Sequence, residues 1–409
     1  MLFTALHREL GLQPGPLTNE MLDQAIAAGV AETDDLDWKK SLPDAKGLPN
    51  SEVPKDIAAM ANSGGGMIIY GVEEHQKCAS GRLDVDEISE QYERAYCSAA
   101  ITAIHPPIFG LSFYPLGTDA PRAWAVVIPP SIDIPHLIYR NDYFGAPIRN
   151  HADTVWMREW QLETFYRRRL DDRRLSGQRL DHDYQQLAQG RDTGQRAWMI
   201  GVARPRIALP VPQLSPDDAR EIVDRAAGFS RAHADSQFSS PLSDVASSPK
   251  PGLRRWVAAP NDLSERAAWK EAWASVHFDG SVSLAAAIGG GPERDSYAPG
   301  NQLTSHRAEW FVADLMGLIR AAGEFFNIAD YELRIGIEHD HTKPLFITTV
   351  DNSGLVHTDT LPISRFIPID VTVQSNVADP DYLNQVRQVA SDVVNQAGIH
   401  RLRKISRSP

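Results

Sequence analysis

Cysteine is scarce in this chain: Cys78 and Cys97 are the only two among 409 residues. Two thiols cannot build a disulfide scaffold or a four-cysteine zinc site, which excludes both classes. No apolar run is long enough to span a bilayer, so no membrane partner is expected. The N-terminus, Met-Leu-Phe-Thr-Ala-Leu-His-Arg-Glu-Leu, has no charged start followed by a long apolar stretch, and no signal peptide is expected there. These absences together read as a cytoplasmic protein. Positive charge is also in deficit, with 41 Lys and Arg against 53 Asp and Glu, a net charge of -12. That balance argues against a protein that coats nucleic acid by bulk electrostatics, though it leaves room for a local basic groove. Arg167-Arg168-Arg169, Arg173-Arg174 and the tail around Arg401, Arg403 and Lys404 are the local concentrations. Their plainer readings are a solvated helix face and an unstructured tail.

What is present suffices for ordinary cores: 42% of the residues are hydrophobic, in a length that predicts two or three domains. Thr18 to Ala28 reads as a helix capped by Thr18, with Met21, Leu22, Ala25 and Ile26 as its apolar stripe. Asp37 to Ser41 reads as a strand that puts Asp37 and Lys39 on one face and Trp38 on the other. Pro54 opens a helix through Asn62, the glycines Gly64-Gly65-Gly66 end it, and Met67 to Val72 is a buried strand. A helix over Asp86–Ala103, strands over Trp124–Ile128 and Leu137–Tyr139 and a helix over Val155–Leu170 complete this unit. A second unit begins near Arg196. It has a strand at Ala197–Ala203, a helix from Ser215 to about Ala227, and a hairpin over Trp273–Ile288 turning at Asp279-Gly280. It continues with a helix over His306–Ala322, three further strands and a last helix over Tyr382–Gln396. The expected organisation is therefore an α/β domain over 1–175 and an α+β domain over 196–409, with a flexible loop near 230–251. Basic residues are scattered in the second domain, which suggests a partner- or dimer-contact role rather than a second nucleic-acid binder.

The chemistry-bearing feature is a pair of acidic segments. The first reads Glu32-Thr-Asp-Asp-Leu-Asp37-Trp38-Lys39. The second follows Ala61-Asn62-Ser63-Gly64-Gly65 and an apolar strand as Gly71-Val72-Glu73-Glu74. Folding can gather carboxylates from the two segments at one point. Gathered carboxylates can bind a divalent cation, and a bound cation can cut a phosphodiester.

These motifs resemble the core of the Schlafen family and its bacterial AlbA-like relatives. The family pattern is a Glu, four residues, then Glu-Phe-Lys, followed by Ala-Phe-Ala-Asn-Thr-x-Gly-Gly, an apolar strand and Gly-Val-Asp-Asp. Here Glu32, Asp37-Trp38-Lys39, Ala59 to Gly65 and Gly71 to Glu74 match it in order. A later tyrosine-rich stretch ending in Arg looks like Tyr143 to Arg149. The resemblance covers roughly residues 15 to 170. It implies that Glu32, Asp37 and Glu74 are nuclease residues that share Mg²⁺ or Mn²⁺, with Asp for Glu at 37 and Glu for Asp at 74. Asp34, Asp35 and Glu73 are register alternatives. Lys39 could neutralise a phosphate. Lys39, Lys40, Tyr143, Arg149, Arg167 and Arg168 are the candidate nucleic-acid contacts, although a buried aromatic at 143 and a structural salt bridge at 149 are equally good readings. Without the resemblance the acids read as a loop and a charged turn.

Three other features read as structure. The glycines at 64–66 sit between a helix and a strand, the reverse of a phosphate loop, so ATP is not expected. Glu338-His339-Asp340-His341 could hold zinc but reads first as a hairpin tip. Trp156 and Trp160 read as core rather than as base-stacking residues. The function expected from all this is a metal-dependent endoribonuclease acting on structured RNA such as tRNA, in phage defence or stress response. The alternative is a non-catalytic nucleic-acid-binding module or transcriptional regulator. Eukaryotic Schlafen cores resemble two fused copies of such a unit, so a homodimer is expected here.

Overall fold

The computed structural model describes residues 2–405 apart from 118–119, 141–142, 208–213, 234–239, 293–296 and 351–354. The chain is mixed α/β and divides into two units, Met1–Arg174 and Leu175–Pro409. The first unit begins with helices α1 (Ala5–Glu9) and α2 (Asn19–Ala27), strand β1 (Leu36–Lys39) and helix α3 (Val53–Asn62). Strands β2 (Gly66–Tyr70), β3 (Val72–His75) and β4 (Cys78–Arg82) precede helix α4 (Glu90–Thr102). Then come β5 (Ile104–His105), β6 (Ser112–Leu116), β7 (Ala123–Ile128), β8 (Leu137–Arg140), β9 (Tyr143–Gly145), β10 (Pro147–Asn150) and β11 (Asp153–Trp156). Helix α5 (Glu159–Gln189) follows.

The central sheet has the order β1-β2-β7-β6. Only β1 and β2 run parallel within it, and the other pairs are antiparallel. Side chains alternate along each strand, so the sheet feeds two cores. Leu36, Trp38, Met67 and Ile69 pack with Leu6, Met21 and Leu22 of α1 and α2. Ile68, Tyr70, Val126 and Ile128 pack with Ile57, Met60 and Tyr96 of α3 and α4. Trp38 is locked on its side by burial and by an indole N–H donated to the Val30 carbonyl at 3.0 Å. Asp37 and Lys39 must therefore face the α3 side, as the alternation predicts.

The glycines after α3 are demanded by close approach. Gly64 and Gly65 have φ of +101° and +92°, and a Cβ at Gly65 would lie 2.8 Å from Pro130 N. A Cβ at Gly66 would lie 2.9 Å from the Cα of Asp35. Positive φ at Gly64 and close approach at Gly65 and Gly66 account for this run. Glu73 and Glu74 lie on a strand, not in a turn: β3 pairs with β4, with a bulge between the two acids. The helix expected over Val155–Leu170 starts later and runs further. Val155 and Trp156 belong to β11, and α5 continues to Gln189 because no proline interrupts it before Gly190. Trp156 and Trp160 are 52% and 59% exposed, so the expectation that they are core is corrected.

The second unit contains β12 (Trp198–Pro205), α6 (Pro216–His233), β13 (Lys250–Gly252), β14 (Arg255–Ala258), β15 (Ala272–His277) and β16 (Val282–Ala287). It continues with β17 (Gly291–Pro292), β18 (Tyr297–Ala298), β19 (Gln302–Thr304), α7 (Ser305–Phe326), β20 (Asp330–Glu338), β21 (Phe346–Val350), β22 (Val356–His357), β23 (Ile369–Gln374) and α8 (Asp379–Asn395). Its main sheet, β13-β14-β15-β16-β12-β20-β23, is wholly antiparallel. One face packs on α6, α7 and α8, and α7 is apolar nearly all round because it is buried centrally. The other face is covered by the end of α5, where Leu180 and Tyr184 meet Trp198, Ile200 and Ala285. Of the loop expected near 230–251, residues 234–239 lie outside the described residues, and the remainder carries helix, a single 3-10 turn and strand. The C-terminal segment is pinned as far as Ile405, because buried Glu309 accepts the backbone N–H groups of Arg403, Lys404 and Ile405.

Candidate functional site

The fold brings the two acidic segments together at one edge of the central sheet. The main chain of Glu32 is fixed by its N–H, which donates to the Lys77 carbonyl at the β3–β4 turn at 2.8 Å. Its carboxylate accepts the Trp38 backbone N–H at 3.2 Å. The bulge in β3 aims the neighbouring acids differently. Glu73 lies 3.7 Å from Lys40, whereas Glu74 acts on the Glu32 carboxyl. Burial first, then the charges of Asp37 and Glu74, push the Glu32 carboxyl up to about 7.

Asp37 is 2% exposed and lies between two cations. Its Oδ2 is 2.6 Å from Lys39 Nζ, and its Oδ1 is 3.3 Å from Arg149 Nη1. Burial works against the Lys39 ammonium, but the charges of Asp37 and Asp56 outweigh it and hold its pKa above the usual lysine value. Asp56, in the first turn of α3, lies 3.8 Å from Lys39, and burial raises its carboxyl despite that neighbour. Sequence reading missed Asp56. Its signal was an acid one helical turn before buried Met60, on the apolar stripe of α3.

Arg149 was expected among the nucleic-acid contacts. It is instead 7% exposed, and its guanidinium is spent on Asp37 and on the Thr33 carbonyl at 3.2 Å. The salt-bridge alternative is the one that forms. Family-motif residues put it there. Asn62 donates to the Pro147 and His136 carbonyls and accepts the His136 N–H. Ser63 Oγ accepts the Arg149 N–H at 2.9 Å. These bonds tie the end of α3 to β10, which carries Arg149 over Asp37.

The register alternatives are engaged elsewhere. Asp35 accepts both ends of the Arg8 guanidinium, at 2.5 and 2.7 Å, and Asp34 accepts the His151 N–H. Lys40 is exposed beside Glu73. The side chain of Tyr143 lies outside the described residues. Arg167 and Arg168 are exposed on α5, in i,i+4 pairs with Glu163 and Asp172, and stand on a different element from the acids.

Mg²⁺ or Mn²⁺ is the group that the resemblance implies. Among the described residues no group of three His, Cys, Asp or Glu side chains is placed to hold a metal ion. The reason is visible at Asp37, whose two oxygens are held by Lys39 and Arg149. As arranged, the three acids do not fit a shared cation. The arrangement can hold and release a proton at Glu32 near neutral pH, and it can present one partly exposed cation, Lys39.

Comparisons place these observations. No curated protein matches the chain. Two solved structures show weak likeness. The N-terminal domain of a RecG-related protein from Nitrosomonas europaea is 16% identical with a TM-score of 0.25, covering 32% of this chain and 86% of that one. The DIP2311 protein from Corynebacterium diphtheriae is 14% identical with a TM-score of 0.24, covering 53% of this chain and 34% of that one. No helix among the described residues is long and apolar enough to cross a membrane. Residues 32–159, the segment that holds Glu32, Asp37, Glu74 and Arg149, match the family model described as Schlafen, AlbA_2.

Proposed function

We propose that the Met1–Arg174 unit is an endoribonuclease acting on structured RNA such as tRNA, in phage defence or stress response. The observation that carries this reading is the Glu32 carboxyl, raised to about 7 by burial and by Asp37 and Glu74, next to the Asp37–Lys39 ion pair. Cleavage of RNA by its own 2′-hydroxyl needs one proton taken from that hydroxyl and one given to the leaving 5′-oxygen. A carboxyl poised near neutral pH serves such transfers best. Lys39, with 38% of its side chain exposed, offers a charge to the phosphate. A second reading, a non-catalytic nucleic-acid-binding module or regulator, is favoured by one observation. Asp37, the most buried acid of this site, is already neutralised by Lys39 and Arg149.

The test is incubation with total tRNA under three conditions: no added metal, added Mn²⁺, and EDTA. Asp37→Asn and Glu74→Gln proteins run alongside. The nuclease reading expects cleavage that both substitutions abolish while RNA binding persists. Cleavage retained in both variants sinks the site assignment. Binding without cleavage under every condition selects the second reading. Loss with EDTA and rescue by Mn²⁺ would mean that Asp37 leaves Lys39 and Arg149 to ligate a cation.

A further inference from the structure

The second unit contains a cavity of about 100 Å³, enough for several waters or one small oxyanion. Its walls come from residues 193–197, 299–301 and the segment after β20. The first two walls touch directly. Gly300 O accepts the Ala197 N–H at 2.7 Å, and a Cβ at Gly300 would lie 1.8 Å from Gln195 O, so only glycine fits there.

His339 lines this cavity and is 3% exposed. Its Nδ1 lies 3.1 Å from the Asp340 carbonyl oxygen. A carbonyl can only accept, so Nδ1 carries the hydrogen and Nε2 is left as a lone pair in the neutral ring. Nε2 has no hydrogen-bond partner among the described residues. A buried acceptor without a donor costs about 1–3 kcal/mol, so something that donates is called for.

The rest of the lining favours an anion. Arg196 and Lys343 both face the cavity, and Arg196 makes no ion pair among the described residues. The one acid of the lining, Asp340, spends Oδ1 on the Thr342 N–H and hydroxyl, with Lys343 Nζ 4.0 Å from Oδ2. Zinc on His339 and His341 would meet two cations and no group of three donors.

We propose that this cavity binds a phosphate group that still carries a proton, as hydrogenphosphate or as a singly protonated phosphate monoester. The P–OH donates to His339 Nε2, and the charged oxygens face Arg196 and Lys343.

Sulfate is the discriminating control, because it matches hydrogenphosphate in size and charge at pH 7.5 but has no donor. Binding of inorganic phosphate and of sulfate to the full chain is measured by titration calorimetry. Phosphate is expected to bind at least tenfold more tightly, roughly the worth of one charge-assisted hydrogen bond. His339→Phe should erase that preference. Arg196→Gln should weaken both ions by a similar factor, and melting curves check that each variant folds. Equal affinity for the two ions overturns the proposal in the unaltered protein, as does failure to bind phosphate at 10 mM, roughly the weak end of specific affinity. Stabilisation by Zn²⁺ that depends on His339 overturns it in favour of a metal site.

Discussion

Replacing Glu74 by Gln asks how far Glu74 raises the Glu32 carboxyl. In the folded unit the Glu32 carboxyl titrates at about 7 rather than at its ordinary 4.5, through burial first and then the charges of Asp37 and Glu74. A carboxyl that holds its proton more tightly when folded stabilises the fold at low pH. That contribution is complete below about pH 4.5 and is lost as the pH rises through about 7. At face value the gap of about 2.5 in pKa, at about 1.36 kcal/mol each, is about 3.4 kcal/mol. Glu32 is only half-buried, so solvent screening reduces it to about 1–2 kcal/mol. Gln at 74 removes the facing charge but leaves the burial and Asp37. Stability at pH 8 should then rise by about 0.5 kcal/mol, and the decline between pH 5 and pH 8 should shrink but persist, because burial and Asp37 are the larger causes. Urea denaturation at the two pH values measures both, with hydrogen exchange in β1 and β3 reporting the first unit. An unchanged pH slope refutes the coupling of Glu32 to Glu74. So does a Glu74→Gln protein that loses more stability at pH 8 than at pH 5.

Arg149→Met should destabilise the first unit by about 2–4 kcal/mol, because Asp37 then stays buried with Lys39 alone. Adding Asp37→Asn should recover part of that loss in a double-mutant cycle, and a purely additive cycle would contradict the pairing. Glu309→Gln should cost about 1–3 kcal/mol and speed proteolysis near Arg403, because the carboxylate that collects three backbone N–H groups is gone. Unchanged cleavage there would mean that the segment is held by other contacts. Light scattering should give a dimer mass at micromolar concentration if a single Schlafen, AlbA_2 unit needs a second copy to form a two-sided RNA cleft. A monomer mass counts against it.

By itself the sequence located most helices and the central strands of both units and the side on which Asp37 and Lys39 lie, but not the β3–β4 hairpin or the short strands β9 to β11, β13 and β14. Period-two alternation around Trp38 sent Asp37 and Lys39 to one face, because a large aromatic ring takes the core face and its neighbours must take the other. Caps, prolines and glycines located α2, α3 and α6 for the same reason: they act through the backbone within a few residues. Tertiary structure decided what the acids do. The bulge in β3 chose Glu74 over Glu73 as the partner of Glu32. Asn62 and Ser63 brought Arg149 across 112 residues to Asp37. Neither contact has a local signal, because each depends on how distant strands are registered. The exposure of Trp156 and Trp160 was illegible for the same reason. An aromatic at helical spacing reads as core until the neighbouring elements are placed and leave its face uncovered.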